Sequence, residues 1–221
     1  MKRILRHLAL LNWKTIFFNF KYLPFNQAVK LPFVISNKVQ LANVKGKIVF
    51  ECPLRPGMIS IGFEKTTLFD YKTSRSIWDV HGTVVFKGDM VIGQESRIIV
   101  GSEGTLVFGS HVLITARTSI VAYHFIELGD QCLLSWDILM MDTDFHSVSD
   151  YQGDILNPTA PVVIGDHVWI GCRSTLLKGT KIPKGCVIGA GSLVNKSLPD
   201  GDSLYAGTPV KKIREAIKWH Q

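Results

Sequence analysis

Three side chains able to move or steady a proton, Asp142, Asp144 and His146, stand within the short run MMDTDFHSVSD at positions 140–150. An imidazole titrates near neutrality and accepts a proton from a hydroxyl or an amine. A carboxylate beside it holds the productive tautomer and steadies the imidazolium that forms. The plainer alternative is a histidine that merely ties a loop by hydrogen bonding. Which reading holds depends on where the three residues sit in the surrounding architecture.

That architecture is periodic. From Ile164, steps of six residues meet Ile170, Leu176, Ile182, Ile188 and Val194 without a miss. Gly165, Gly171 and Gly189 follow the repeating residue, and Gly179, Gly185 and Gly191 lie three after it. A second array runs through Phe108, Ile114, Ile120, Ile126, Cys132 and Ile138, and Phe86, Ile92 and Ile98 keep the period further upstream. Six is not a helical period, but it is a multiple of two, so an extended chain sends every sixth side chain to one side. Short strands joined by bends close into a three-sided prism with rungs of about 18 residues, a parallel β-helix of hexapeptide repeats. Weaker alternation in residues 39–70 reads as further early coils or a capping strand pair.

The next inward position after Ile138 is 144, and Asp144 occupies it. A bare carboxylate in an aliphatic column is costly, so the coil must open there. A loop over 142–161, with Asp150, Gly153, Asn157 and Pro158 as turn formers, precedes the restart at Val162 and Ile164. Loops ejected from a repeat stack lie on one face and carry function, which favours proton chemistry for His146.

The rest of the composition narrows the class. With 221 residues and 46% hydrophobic content, the chain has ample material for a packed core. Cys52, Cys132, Cys172 and Cys186 lack metal-finger spacing and read as small core side chains in a reducing compartment. His124, His146 and His167 offer metal-ligand chemistry but contain no near pair, so no metal site is expected. A net charge of +7 points to anionic partners. Nucleic acid is set aside because the basic residues read as dispersed and no base-stacking motif is present.

Residues 1–38 form a basic N-terminal segment in which Ile4, Leu8 and Leu11 have helical spacing and Lys2, Arg3, Arg6 and Lys14 supply another face. It lacks a small-residue cleavage site, and its apolar runs are too short to span a bilayer. It is therefore expected to stay on a cytoplasmic protein, packing on its own domain or touching a membrane surface. The β-helix domain is placed at 39–205. The tail, 206–221, reads as a short helix from Ile213, Ala216 and Ile217. Both ends are expected to cover open rungs.

The stretch PVVIGDHVWIGCRSTLLKGTKIPKGCVIGAGSLVNKSLPDGDSLYAGTPVKKIRE resembles the C-terminal half of the left-handed β-helix acetyltransferases of the maltose, galactoside and polysaccharide O-acetyltransferase group. DTDFH resembles the catalytic loop of its glycan-modifying branch, and the likeness runs from about residue 83 to 215. The resemblance implies a left-handed coil, a homotrimer with active sites between subunits, and acetyl-CoA as acyl donor to a sugar or glycan acceptor. It implies that His146 is the general base, with Asp144 or Asp142 beside it. Trp169 would line the cleft, Gly171 and Ala190 would let the pantetheine arm lie along the coil edge, and Lys196, Lys211 and Arg214 would meet the cofactor phosphates.

Two departures bear on the acceptor. Only one histidine stands where the sugar acetyltransferases often carry two, and a basic, aromatic segment replaces the helical cap of the maltose type. Both favour a larger or lipid-linked glycan, met at the inner face of the cytoplasmic membrane, over a free sugar. An N-acetyltransferase of an amino sugar and a non-catalytic β-helix scaffold are the alternatives.

Overall fold

One aliphatic residue at each sixth position demands a face to bury it, and the computed structural model supplies three. It describes residues 12–70 and 72–220. Among these, the strands form sheets of nine, seven and six strands, one on each side of a prism. Pairing is parallel throughout, except where the last strand turns back.

The two arrays wind around this prism. Ile164, Ile170 and Leu176 lie on successive faces, and Ile182, Ile188 and Val194 repeat the circuit one coil on. All six are buried, as are the six residues from Phe108 to Ile138, but after Ile120 the columns pass to Leu128, Leu134 and Met140, two residues beyond Ile126, Cys132 and Ile138. Columns result on each face: Ile92 registers with Ile114, Leu134, Ile170 and Ile188 along one of them. A second runs from Trp78 through Ile98, Ile120, Met140 and Leu176 to Val194. Intervals between partners are longer in the early coils and settle at the expected value of about 18 residues only after Ile170.

Residues 39–70 belong to this stack as coils. Val39–Val44, Lys47–Phe50 and Ile59–Phe63 pair in parallel with Ser76–Val80, Thr83–Phe86 and Met90–Gln94. The prism starts still earlier, since Phe33–Ile35 pairs with Ile59–Phe63. Glycine is not alone at the bends: Glu95, His111, Arg117, Gln131, Asp137, His167 and Arg173 all take positive φ at corners.

Helix α1, Trp13–Tyr22, and the short helix α2, Phe25–Ala28, close the first end. The side chain of Asn12 accepts from the backbone N–H of Thr15 and caps α1. The open edge of Phe33–Ile35 is met by side chains. Asn19 receives the N–H of Phe33 and donates to its carbonyl; Thr15 does the same for Ile35. These bonds replace the ladder that a further strand would have made. The helix expected on Ile4, Leu8 and Leu11 lies outside the described residues. No described helix is long and apolar enough to cross a membrane.

The C-terminal helix expected from Ile213, Ala216 and Ile217 is not formed. Lys211–Arg214 is instead a strand, antiparallel to Leu204–Ala206. The last coil leaves a row of unpaired backbone groups, and pairing with it outweighs a helix too short to be stable alone. Beyond the strand, Trp219 is buried with its ring stacked on His167 at 4.3 Å. Its indole N–H donates to the His167 carbonyl at 2.9 Å.

Candidate active site

The coil opens where the sequence pattern breaks. Met140 is the last buried residue of its column before the gap, so the next slot in register is 146 and not the expected 144; both Asp144 and His146 are exposed. The loop turns back on itself through a bridge between Ser149 and Ile155, with Asp150 accepting from the N–H groups of Gln152 and Asp154 at its tip. Val162–Ile164 then resumes the stack against Phe125–Leu128.

His146 lies at the root of this loop with its side chain exposed. Its backbone is held twice: the N–H donates to the Asp144 carbonyl at 2.7 Å, and its own carbonyl accepts from Asn157 Nδ2 at 2.9 Å. The ring nitrogens make no hydrogen bond within the described chain. Both are open to an incoming group.

The two carboxylates do not play the part expected of them beside the imidazole. Asp142 is fully buried, and its two oxygens accept from the backbone N–H groups of Tyr123 and His124, each at 2.8 Å. Those amides belong to the preceding coil, so Asp142 pins the loop root to the stack. Asp144 pairs with Lys178 at 2.7 Å and accepts from Asn157 Nδ2 at 2.9 Å. The hydrogen bond from Lys178, then that from Asn157, holds the Asp144 carboxyl below the usual range. Neither oxygen set contacts the ring, because each is committed to loop geometry.

Asn157, expected only as a turn former, and Lys178, not singled out by the sequence, brace the loop root. Asn157 bridges Asp144, the His146 carbonyl and the Val148 N–H, and Lys178 also donates to the Asn157 carbonyl at 2.7 Å. Nothing in local spacing marks Lys178, which lies a coil away from the loop root in the resumed repeat.

The residues assigned to the acyl donor are placed as follows. Trp169 points outward as expected, 37% exposed, and its indole donates to Ser135 Oγ at 3.1 Å. Trp219 stands 6.1 Å from it, so the tail borders the same surface. Gly171 and Ala190 are brought together on consecutive coils: a Cβ at Gly171 would lie 2.6 Å from the Ala190 nitrogen. Stacking alone therefore demands glycine at 171. Lys196, Lys211 and Arg214 are exposed toward the end of the prism. No hydrogen bond or ion pair within the described chain joins the His146 loop to any of these six residues. No group of three or more metal-ligating side chains is found among the described residues.

The fold and its ejected loop define a hexapeptide-repeat β-helix, left-handed as the resemblance implies. Residues 161–196 match the family model described as bacterial transferase hexapeptide (six repeats). Over 144 residues the chain is 27% identical to the putative lipopolysaccharide biosynthesis O-acetyl transferase WbbJ of Escherichia coli, covering 61% of this chain and 72% of that one. Over 129 residues it is 33% identical to the probable acetyltransferase Rv3034c of Mycobacterium tuberculosis, covering 57% of this chain and 42% of that protein. The crystal structure of the polySia specific acetyltransferase NeuO matches the fold at a TM-score of 0.54 and 21% identity, over 84% of this chain and 90% of NeuO.

Proposed function

We propose that the chain is an acetyl-CoA-dependent O-acetyltransferase that modifies a sugar hydroxyl in the assembly of a surface polysaccharide. The observation that carries this reading is His146: an imidazole exposed on a loop that is braced from below by Asp142 and Asp144, with both ring nitrogens unengaged. The hydroxyl gives its proton to the imidazole, the oxygen bonds to the thioester carbonyl carbon, and the C–S bond breaks as the imidazolium returns that proton to the leaving sulfur, releasing coenzyme A as the thiol. Holding the hydroxyl beside the thioester supplies the larger part of the acceleration.

The reading includes a homotrimer. Phe145, Val148, Tyr151, Ile155 and Leu156 are all exposed on the loop, and five exposed apolar side chains within twelve residues favour a partner. A neighbouring copy that covers it would bring His146 to the outer edge of another prism, where Trp169, Gly171 and Ala190 form a ledge for the pantetheine arm. Lys196, Lys211 and Arg214 would then meet the phosphates. The names of the relatives in lipopolysaccharide and polysialic acid modification agree with a glycan acceptor. The acceptor is met on the cytoplasmic side, at the membrane.

The test is transfer from labelled acetyl-CoA to nucleotide-linked, lipid-linked and polymeric glycans, each offered in hydroxyl and amino forms. His146→Ala should retain acetyl-CoA binding and lose transfer by about 10²- to 10⁴-fold. Undiminished turnover in that variant would remove His146 from the chemistry. Product formed only on amino sugars would make the enzyme an N-acetyltransferase.

A further inference from the structure

Helix α1 is amphipathic in the opposite sense from a helix that buries its apolar stripe. Thr15 and Asn19 face the prism, fully buried, beside Phe18. The outward stripe is Trp13, Ile16, Phe17 and Phe20, at 65%, 50%, 41% and 44% exposure. These positions follow i, i+3, i+4 and i+7, so they form one continuous face. Phe25, 74% exposed, lies 5.9 Å from Phe20 ring to ring and extends it. Isolated exposed apolar residues are ordinary; five adjoining ones, four of them aromatic, mark an interaction surface.

The net positive charge of the chain comes from the part of the sequence that carries this face. Residues 1–50 contain nine Lys and Arg and no Asp or Glu, which leaves 16 basic and 18 acidic residues for 51–221. The basic residues are thus not dispersed, contrary to the reading from composition. Beside Trp13, a cavity of about 590 Å³ is lined by Lys14, Lys38, Lys72 and Arg75, with no acidic residue in its wall. Lys14 donates to the carbonyls of Asn37 and Val39, which fixes its ammonium at the rim. Lys72 and Arg75 have no ion pair among the described residues.

We propose that the α1 end of the prism docks on an anionic bilayer, with the aromatic stripe in the interfacial region and the cationic cavity receiving lipid phosphate. Tryptophan and phenylalanine beside lysine is the composition that settles at a headgroup boundary. Each flanking cation adds attraction to an anionic leaflet. A second copy fits this face poorly, because pairing would oppose two regions of like charge. The inference deepens the proposed meeting with a membrane-borne acceptor, and it is read without turnover.

The experiment is co-sedimentation of the full chain with vesicles of phosphatidylcholine, or of phosphatidylcholine mixed with phosphatidylglycerol. Wild type should bind the anionic vesicles and lose binding as salt is raised. Phe17→Ser/Phe20→Ser/Phe25→Ser should lower partition by about tenfold or more with an unchanged circular dichroism melt. Lys72→Glu/Arg75→Glu should weaken binding to anionic vesicles without changing that melt. His146→Ala should bind vesicles as wild type does, so a failure of the catalytic reading leaves this result intact. Four outcomes would overturn the proposal. They are wild type that binds neither vesicle, triple-variant binding equal to wild type, binding that requires deletion of residues 1–11, and a lipid-free assembly that dissociates on the same substitutions. Binding to single-stranded nucleic acid that excludes vesicles would also overturn it.

Discussion

Asp142→Asn separates bracing of the His146 loop from action on the imidazole. The substitution keeps shape and removes charge at a fully buried side chain whose two oxygens accept the Tyr123 and His124 amides at 2.8 Å. An asparagine retains one acceptor and turns an NH2 group toward the other amide. One hydrogen bond to a charged group is lost, about 1.5–3 kcal/mol, and a buried N–H is left without a partner, about 1–3 kcal/mol. Taking about 3 kcal/mol as the combined cost, the equilibrium for lifting the loop root rises by about two orders of magnitude. Hydrogen exchange at Tyr123 and His124 should accelerate by that factor while the column residues Ile120 and Met140 stay protected. Turnover should fall, because His146 is then held in place for less of the time. Acetyl-CoA affinity should stay within about twofold, since Trp169, Gly171 and Ala190 lie on coils that Asp142 does not touch. The pH dependence of kcat/KM should keep its form, because neither Asp142 oxygen contacts the ring. Unchanged exchange at those two amides, or a base limb displaced by a full pH unit, would refute the bracing role and return Asp142 to direct contact with His146.

Three further outcomes follow from the geometry. Asn19→Ala strips the partners from the Phe33 N–H and carbonyl on the open edge and should cost about 2–4 kcal/mol in denaturant unfolding. The depressed Asp144 carboxyl braces the loop above the ordinary carboxylate range, and this contribution is lost as pH falls through its lowered value. Protection factors at Val148 and Leu156, corrected for the intrinsic pH dependence of exchange, should therefore be flat from neutrality to about pH 4 and fall below it, and Lys178→Met, which leaves only the Asn157 bond, should weaken that dependence. Burial pushes the Cys132 thiol up to about 12, so iodoacetamide at pH 8 should leave it unmodified until the chain unfolds, whereas reaction in the native protein would show the coil opening at that position.

What a reader of the sequence can see in a stacked coil is governed by distance along the chain. The aliphatic columns are legible where the period of six holds without a slip, as from Ile164 to Val194; in the earlier array the period runs true from Phe108 to Ile120, and the columns then move two residues on, to Leu128, Leu134 and Met140. The break itself is legible, but the slot is not: six residues after Met140 stands His146, and Asp144 lies two residues short of it. The duties of Asp142 and Asp144 are not legible either, because their partners sit on other coils: Tyr123 and His124 before the loop, Lys178 after it. Coil length varies along the prism, so no fixed spacing links such partners. Composition hides the inversion of α1 in the same way, since Trp13, Ile16, Phe17 and Phe20 form as good a stripe as any buried one. The polar bonds of Thr15 and Asn19 to an open strand edge, with Phe18 packed between them on Phe33 and Trp78, decide which side turns inward. The tail obeys the same force. A weak helical pattern at Ile213, Ala216 and Ile217 gives way to strand because the final coil offers backbone partners that a lone helix cannot match. At both ends, then, the unsatisfied edge of the prism sets the local structure. At the α1 end, satisfying that edge with polar side chains is what leaves the aromatic face turned outward for a membrane to cover.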